Sequence, residues 1–167
     1  MDRMTPEQRH RCMSHIRSKD TGPEWIVRRM VHAMGFRYRL HVKRLPGKPD
    51  LALTCHRKII FVHGCFWHAH GCRTGQRPPA THTQFWKERF ARNVRRDQEV
   101  LRQLWQAGWR VLVVWECETK DAERLHSILS SFLALSRGPV NYDLNDQHAF
   151  YEQAAEKREN DEYGKNR

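Results

Sequence analysis

Leu45-Pro-Gly-Lys-Pro-Asp-Leu-Ala-Leu53, followed after four residues by Lys58-Ile-Ile-Phe-Val-His63, is the stretch whose reading decides the fold. Leu45–Pro49 reads as a glycine turn, Asp50–Leu53 as a short strand and Lys58–His63 as a buried one. A short apolar run, β-branched and bounded by turn residues, is what a strand covered on both faces requires. Arg110-Val-Leu-Val-Val-Trp115 repeats that pattern more strongly than any other segment. Between the two buried strands, Trp86, Phe90, Val94, Leu101, Leu104 and Trp105 recur at helical spacing from Thr83 to Ala107, and Gly108 ends the run. Strand, long helix and strand make a crossover, so the two strands are expected to be parallel with their C-terminal ends at one edge.

Working outward, Thr21-Gly22-Pro23-Glu24 is a helix-opening signal. Ile26, Val27, Met30, Val31 and Met34 then keep helical spacing up to Gly35. Thr5-Pro6-Glu7-Gln8 gives the same signal for a short helix to about Ile16, and Phe36–Leu40 alternates like a strand. Asp121 caps a last helix carrying Leu125, Ile128, Leu129, Phe132 and Leu133. The order α-α-β-β-β-α-β-α predicts an α/β domain with a central sheet flanked by helices. That domain is expected to occupy residues 1–137, with residues 138–167 a polar, loosely ordered tail.

The 167 residues include 30 Lys+Arg and 19 Asp+Glu, a net charge of +11. The charge is split, with +15 on residues 1–110 and −4 beyond. A basic body points to a polyanion, first of all nucleic acid; a solvated basic surface is the plainer alternative. Six Trp and seven Phe argue against disorder. No apolar run reaches the roughly 18 residues of a membrane span, and Met1–Met13 has no apolar core of a secretory leader. A cytoplasmic location is expected, and with it five cysteines that act as thiols or metal ligands rather than disulfides.

Cys65-x4-His70-x-Cys72 places three soft ligands within eight residues. Zinc takes four from Cys and His in a tetrahedron. Cys117 stands just past Trp115, and parallel strands would bring it to the edge where Cys65 leaves the sheet. Cys65, His70, Cys72 and Cys117 are therefore expected to form a closed structural zinc site; three buried thiols and a surface histidine are the alternative. Cys12 and Cys55 have no place in it and read as packed free thiols.

Pro49-Asp50, opening a strand after a glycine turn and one strand before a buried strand, has the shape of the restriction-nuclease, PD-(D/E)xK-type fold. In that fold the Asp holds Mg²⁺ and the next strand supplies (D/E)-x-K. Here the second half reads Phe61-Val62-His63, and histidines at 63 and 68 stand in the neighbourhood. A histidine can take a proton from an attacking water or give one to a leaving oxygen, and a hard cation can use backbone carbonyls. Asp50 as a turn cap, His63 as a core histidine and His68 as a surface one remain open at this point. Phe66 and Trp67 sit where no core period demands them, either to wedge between base steps or to cover the zinc site.

Arg17-Ser-Lys-Asp-Thr21, Leu45–Asp50, Phe61-Val-His-Gly-Cys-Phe-Trp-His68, Phe85-Trp86, Asn93 to Asp97 and Gly108-Trp-Arg-Val-Leu-Val-Val-Trp-Glu-Cys117 together resemble the very short patch repair (Vsr) endonucleases over about Met13 to Glu118. The resemblance implies a bacterial, Mg²⁺-dependent DNA repair enzyme that nicks one strand beside T·G mismatches left by 5-methylcytosine deamination. It also implies a restriction-endonuclease-like fold with an inserted zinc site. A restriction-type nuclease without mismatch preference and a zinc-stabilised DNA-binding module without catalysis are the alternatives. The same resemblance makes Asp50 the direct Mg²⁺ ligand and gives Val62 a main-chain carbonyl on the metal. His68 would activate water, His63 would support the leaving group or the metal-bound water, and Glu24 would assist through metal-bound water. Phe66, Trp67 and Trp86 become the wedge, and Met13, Arg89 and Asn93 touch the mismatched pair. Expected partners are double-stranded DNA carrying the mismatch and general mismatch-repair proteins; a monomer is expected, with no membrane association.

Overall fold

The computed structural model describes residues 7, 8, 11, 19–76, 79 and 82–134. The expected first helix as a whole, Cys12, Met13 and the tail from 138 lie outside the described residues. Within them, helices α1 (Gly22–Ala33), α2 (Thr83–Gln106) and α3 (Ala122–Ala134) surround strands β1 (Leu51–Leu53), β2 (Lys58–His63) and β3 (Arg110–Trp115).

The sheet runs β1-β2-β3, mixed in sense. β1 lies antiparallel to β2 with Leu51 opposite Ile60, and β2 lies parallel to β3 from Lys58 opposite Arg110 to His63 opposite Trp115. The crossover through α2 is thus the parallel connection that its length predicts. Side chains alternate across the sheet. Ile60 and Val114 join Val27, Val31, Leu125 and Leu129 under α1 and α3, while Ile59, Phe61, Val111 and Val113 meet Leu104 of α2 on the other face. Both faces are covered, which is why β2 reads as an unbroken apolar run.

Thr21 starts α1 with a capping box, its side chain facing the Glu24 N–H while the Glu24 carboxylate faces the Thr21 N–H at 3.4 Å; the Thr21 hydroxyl also donates to Glu24 Oε1 at 2.9 Å. Gly35 ends the helix at φ +86.

Phe36–Leu40 is not the strand that its alternation suggests. Only Arg39 pairs, through N–H···O bonds of 2.9 and 2.8 Å exchanged with Ala52. β1 is three residues long and offers no further ladder. Tyr38 instead donates its hydroxyl to the Arg28 carbonyl of α1 at 3.1 Å. Cys55 is likewise corrected: it lies in the turn Thr54–His56 and is exposed rather than packed, because that turn joins β1 to β2 at the surface.

Candidate functional site

Because β2 and β3 are parallel and in register, the chain leaves both at the same edge. The Glu116 N–H donates to the His63 carbonyl at 2.9 Å, extending the pairing one step past the strands. Cys65 and Cys117 follow immediately, and the Cys117 N–H donates to Cys65 Sγ at 3.4 Å. The loop after β2 then folds back tightly: a Cβ on Gly75 would stand 2.1 Å from the His70 carbonyl oxygen, so only glycine fits there. This brings His70 and Cys72 to the same point, and one donor atom from each of Cys65, His70, Cys72 and Cys117 lies within 4.8 Å of the others. Burial raises the thiol pKa of Cys65 and Cys117. Burial also pushes on Cys72, but N–H groups of Gly75 and Thr74 and the Cys65 thiol outweigh it and leave Cys72 below the ordinary value. The donor set is soft and compact, and it could hold a metal ion. Trp115 stacks on His70 at 4.2 Å and 13°, so the cover over this cluster comes from β3.

Phe66 and Trp67 turn the other way, onto α2. Phe66 meets Trp86 at 5.5 Å and Phe90 at 5.3 Å, edge to face, and Trp67 lies 6.3 Å from Trp86. The Arg89 guanidinium sits 5.6 Å from the Trp67 ring. Asn93 Nδ2 donates to the Trp67 carbonyl at 2.9 Å and ties the loop to the helix.

Between α1, the 41–48 loop, the end of β2 and α2 lies an open cleft of about 1110 Å³. It collects Glu24, Asp50, Val62, His63, Trp67 and His68 from the sequence reading, with Arg89 and Asn93 at the α2 side. Asp50 stands just before β1, and its Oδ2 accepts the Val62 N–H at 2.8 Å where the β1–β2 ladder runs out. Burial raises its carboxyl from 3.8 to about 6, against the Val62 hydrogen bond and with the Glu24 charge adding to the rise. The charges of His41 and Arg28 pull the other way but do not offset the burial.

His63 and His68 stack at 3.9 Å and 12°. Burial and the neighbouring His68 hold His63 down at about 3, so it is neutral at pH 7; its Nδ1 is buried with no hydrogen-bond partner among the described residues. His68 Nδ1 lies 2.5 Å from Asp97 Oδ2. A carboxylate only accepts, so Nδ1 carries the proton and Nε2 is left to exchange one. Ala69, at φ 51, is the bend between His68 in the cleft and His70 among the cysteines.

Asp97 is the residue that the sequence reading quotes without giving a role. It is 8 % exposed, on α2, one turn after Asn93 and in line with Phe90 and Leu104. A carboxylate on the apolar stripe of a helix needs a partner, and that was the available signal. Glu24 is also buried, and both of its oxygens are engaged: Oε1 by Thr21, Oε2 by Arg28 Nη2 at 2.6 Å and the Asp20 N–H at 3.0 Å. Met13 lies outside the described residues.

Comparison with known proteins fits this architecture. The family model described as DNA mismatch endonuclease Vsr matches residues 1–74. The type II nicking enzyme V.XorIIP of Xanthomonas oryzae pv. oryzae is 46% identical over 132 residues, 79% of this chain and 96% of that protein. The type II nicking enzyme V.NmeAIP of Neisseria meningitidis is 41% identical over 132 residues, 77% and 94% of the two chains. The DNA mismatch endonuclease Vsr of Escherichia coli K12 is 40% identical over 117 residues, 70% and 74%. Identity at this level over most of both chains defines the class as DNA endonuclease. The chain belongs to the Vsr family.

Proposed function

We propose that this enzyme nicks one strand of duplex DNA beside a T·G mismatch left by 5-methylcytosine deamination, using Mg²⁺ at Asp50, on a restriction-endonuclease-like fold braced by a structural zinc ion. The observation that carries the reading is one cleft in which the open oxygen of Asp50 and the His68–Asp97 pair share space with Trp67 and Arg89. The E. coli relative, named a DNA mismatch endonuclease, supports the mismatch; the relatives named nicking enzymes support the single-strand cut.

Asp50 fits a hard cation. Oδ2 is satisfied by Val62, Oδ1 accepts no hydrogen bond among the described residues, and burial holds the carboxyl well above its ordinary value despite the Arg28 and His41 charges nearby. Asp50 and the Val62 main-chain carbonyl would hold the ion. Bound there, Mg²⁺ would neutralise charge developing on the phosphate oxygens. His68 Nε2 takes the proton of the attacking water, with Asp97 fixing the tautomer and steadying the charged ring that forms. His63, kept neutral by burial, supports the leaving oxygen. Glu24 acts through water, since both of its oxygens are already engaged.

Cys65, His70, Cys72 and Cys117 hold zinc and fix the loop that presents Phe66, Trp67 and His68. Phe66, Trp67 and Trp86 wedge into the duplex while Met13, Arg89 and Asn93 touch the mismatched pair. A mismatch unstacks at less cost than a matched pair, so a wedge discriminates between them. The enzyme acts as a bacterial, cytoplasmic monomer within residues 1–137, alongside general mismatch-repair proteins. The test is a Mg²⁺ nicking assay on duplexes differing only in T·G or T·A. Preferential cutting of T·G is expected; equal cutting would replace the mismatch reading with a restriction-type nuclease.

A further inference from the structure

Asp50 is met from the loop side by a residue to which neither the sequence nor the family reading gives a role. His41 lines the cleft, and its backbone is fixed: the Arg39–Ala52 bridge precedes it and its own N–H donates to the Pro49 carbonyl at 3.1 Å. It holds φ 45, a left-handed conformation that an L-residue adopts only at a cost, and such residues concentrate at functional sites. The loop that follows is pinned as well. Gly47, at φ +72, lies so close to α2 that a Cβ would stand 2.5 Å from Val100 Cγ1.

The ring of His41 bridges two groups. Nε2 lies 3.2 Å from Arg28 Nη2, and Nδ1 lies 3.9 Å from Asp50 Oδ1. A guanidinium only donates, so Nε2 accepts and the neutral ring carries its proton on Nδ1. Arg28 cannot turn away, because it is 2 % exposed and clamped by Asp20 Oδ1 at 2.5 Å and Glu24 Oε2 at 2.6 Å. The clamp also accounts for the cluster of Asp20, Glu24 and His41: its central cation is Arg28, leaving Asp50 as the carboxylate in need of one.

We infer that His41 is a positioning residue for the divalent cation at Asp50: Arg28 fixes its tautomer so that Nδ1–H faces Oδ1, the one oxygen of Asp50 that Val62 leaves open. This rests on Asp50 being a metal ligand, as proposed above. At 3.9 Å the N–H does not close a direct hydrogen bond; it orients the carboxylate by its dipole or across one water. Groups that orient a ligand in this way are worth about 10–100-fold in metal affinity.

The two ring nitrogens can be tested separately. In His41→Asn the side-chain amide falls near Nδ1, and Asn tolerates positive φ. In His41→Gln the amide falls near Nε2 and leaves nothing at Nδ1. His41→Gly removes the ring while relieving the backbone, so it keeps the fold should the Gln variant fail. The readouts, on full-length zinc-loaded protein, are Mn²⁺ binding by electron paramagnetic resonance and the half-saturating Mg²⁺ in nicking. His41→Gln and His41→Gly are expected to weaken Mn²⁺ binding and raise half-saturating Mg²⁺ about 10-fold. His41→Asn stays within about threefold of the parent, and metal-free DNA affinity is unchanged in all three. Parental Mn²⁺ affinity in His41→Gly, or His41→Asn as weak as His41→Gly, overturns the assignment. Asp50→Asn run alongside separates the failures. If it loses Mn²⁺ while His41→Gly does not, only the role of His41 falls; if it retains parental Mn²⁺ binding, the metal site at Asp50 falls and the role of His41 with it.

Discussion

Replacing Asp50 by Asn should stabilise the Mg²⁺-free enzyme while abolishing its activity. Burial raises the Asp50 carboxyl from 3.8 to about 6. A carboxyl raised by folding holds its proton better in the native state, so its contribution to stability is full below pH 3.8 and is lost as pH rises through 6. At pH 8 the ionised group costs the fold about 3 kcal/mol, from a gap of about two pH units at about 1.4 kcal/mol each. Asparagine has nearly the same shape, can still accept the Val62 N–H, and carries no charge to desolvate. In zinc-loaded protein at pH 8 without Mg²⁺, Asp50→Asn should therefore be about 3 kcal/mol more stable in urea. For a chain of this size that is about 6–12 °C in Tm. At pH 5 the gain should shrink to roughly half, because the wild-type carboxyl is then mostly protonated in the native state. Added Mg²⁺ should raise the Tm of the wild type and leave that of Asp50→Asn unchanged. An Asn variant no more stable than the parent at pH 8, or a gain identical at pH 5 and pH 8, would refute the idea that the charge of Asp50 is unmet without metal.

The other expectations come from neighbouring features of the same sheet edge. Asp97→Asn removes the charge that holds the His68 tautomer 2.5 Å away and lets an amide N–H face Nδ1 instead; nicking should fall about 10²–10⁴-fold with DNA affinity kept, and an effect under about threefold would remove His68 as the base. Elemental analysis should find about one zinc per chain, lost in Cys117→Ala with a fall in Tm; zinc retained at full occupancy in that variant would dismiss Cys117 as a ligand. Affinity for DNA should fall steeply with salt, and Lys43→Ala, which removes an exposed cation at the cleft, should lower the slope of log K against log salt by about one with no change in T·G over T·A preference.

Much of this architecture is legible in the chain because two periodicities are strong. Lys58–His63 and Arg110–Trp115 are apolar on both faces, and the helix between them is long enough to return the chain in parallel. From that alone Cys117 falls beside Cys65, and the four-residue cluster follows without any tertiary knowledge. Phe36–Leu40 misleads for the opposite reason. Its alternation records how Phe36 and Tyr38 pack toward α1, whereas a strand needs a partner ladder, and β1 offers three residues. The cover over the cysteines is equally hidden: Phe66 and Trp67 adjoin them in sequence, yet Trp115 stacks on His70.

Two buried acids and the partly buried Asp50 show where pattern reading stops. Glu24 is announced by its capping box and turns out to be neutralised locally by Thr21 and Arg28. Asp97 is announced only as a charge on an apolar stripe, and its partner lies 29 residues away on a loop with no period of its own. Asp50 is announced by a dipeptide that also describes a turn cap. A buried carboxylate that folding satisfies contributes structure; one that folding leaves short of charge costs stability and persists only where something else supplies the charge. By that criterion Glu24 and Asp97 position other groups, and Asp50 is the acid to which the proposed function gives a metal. The distinction depends on which oxygen remains open after every local donor is assigned, and no spacing of residues in the sequence encodes it.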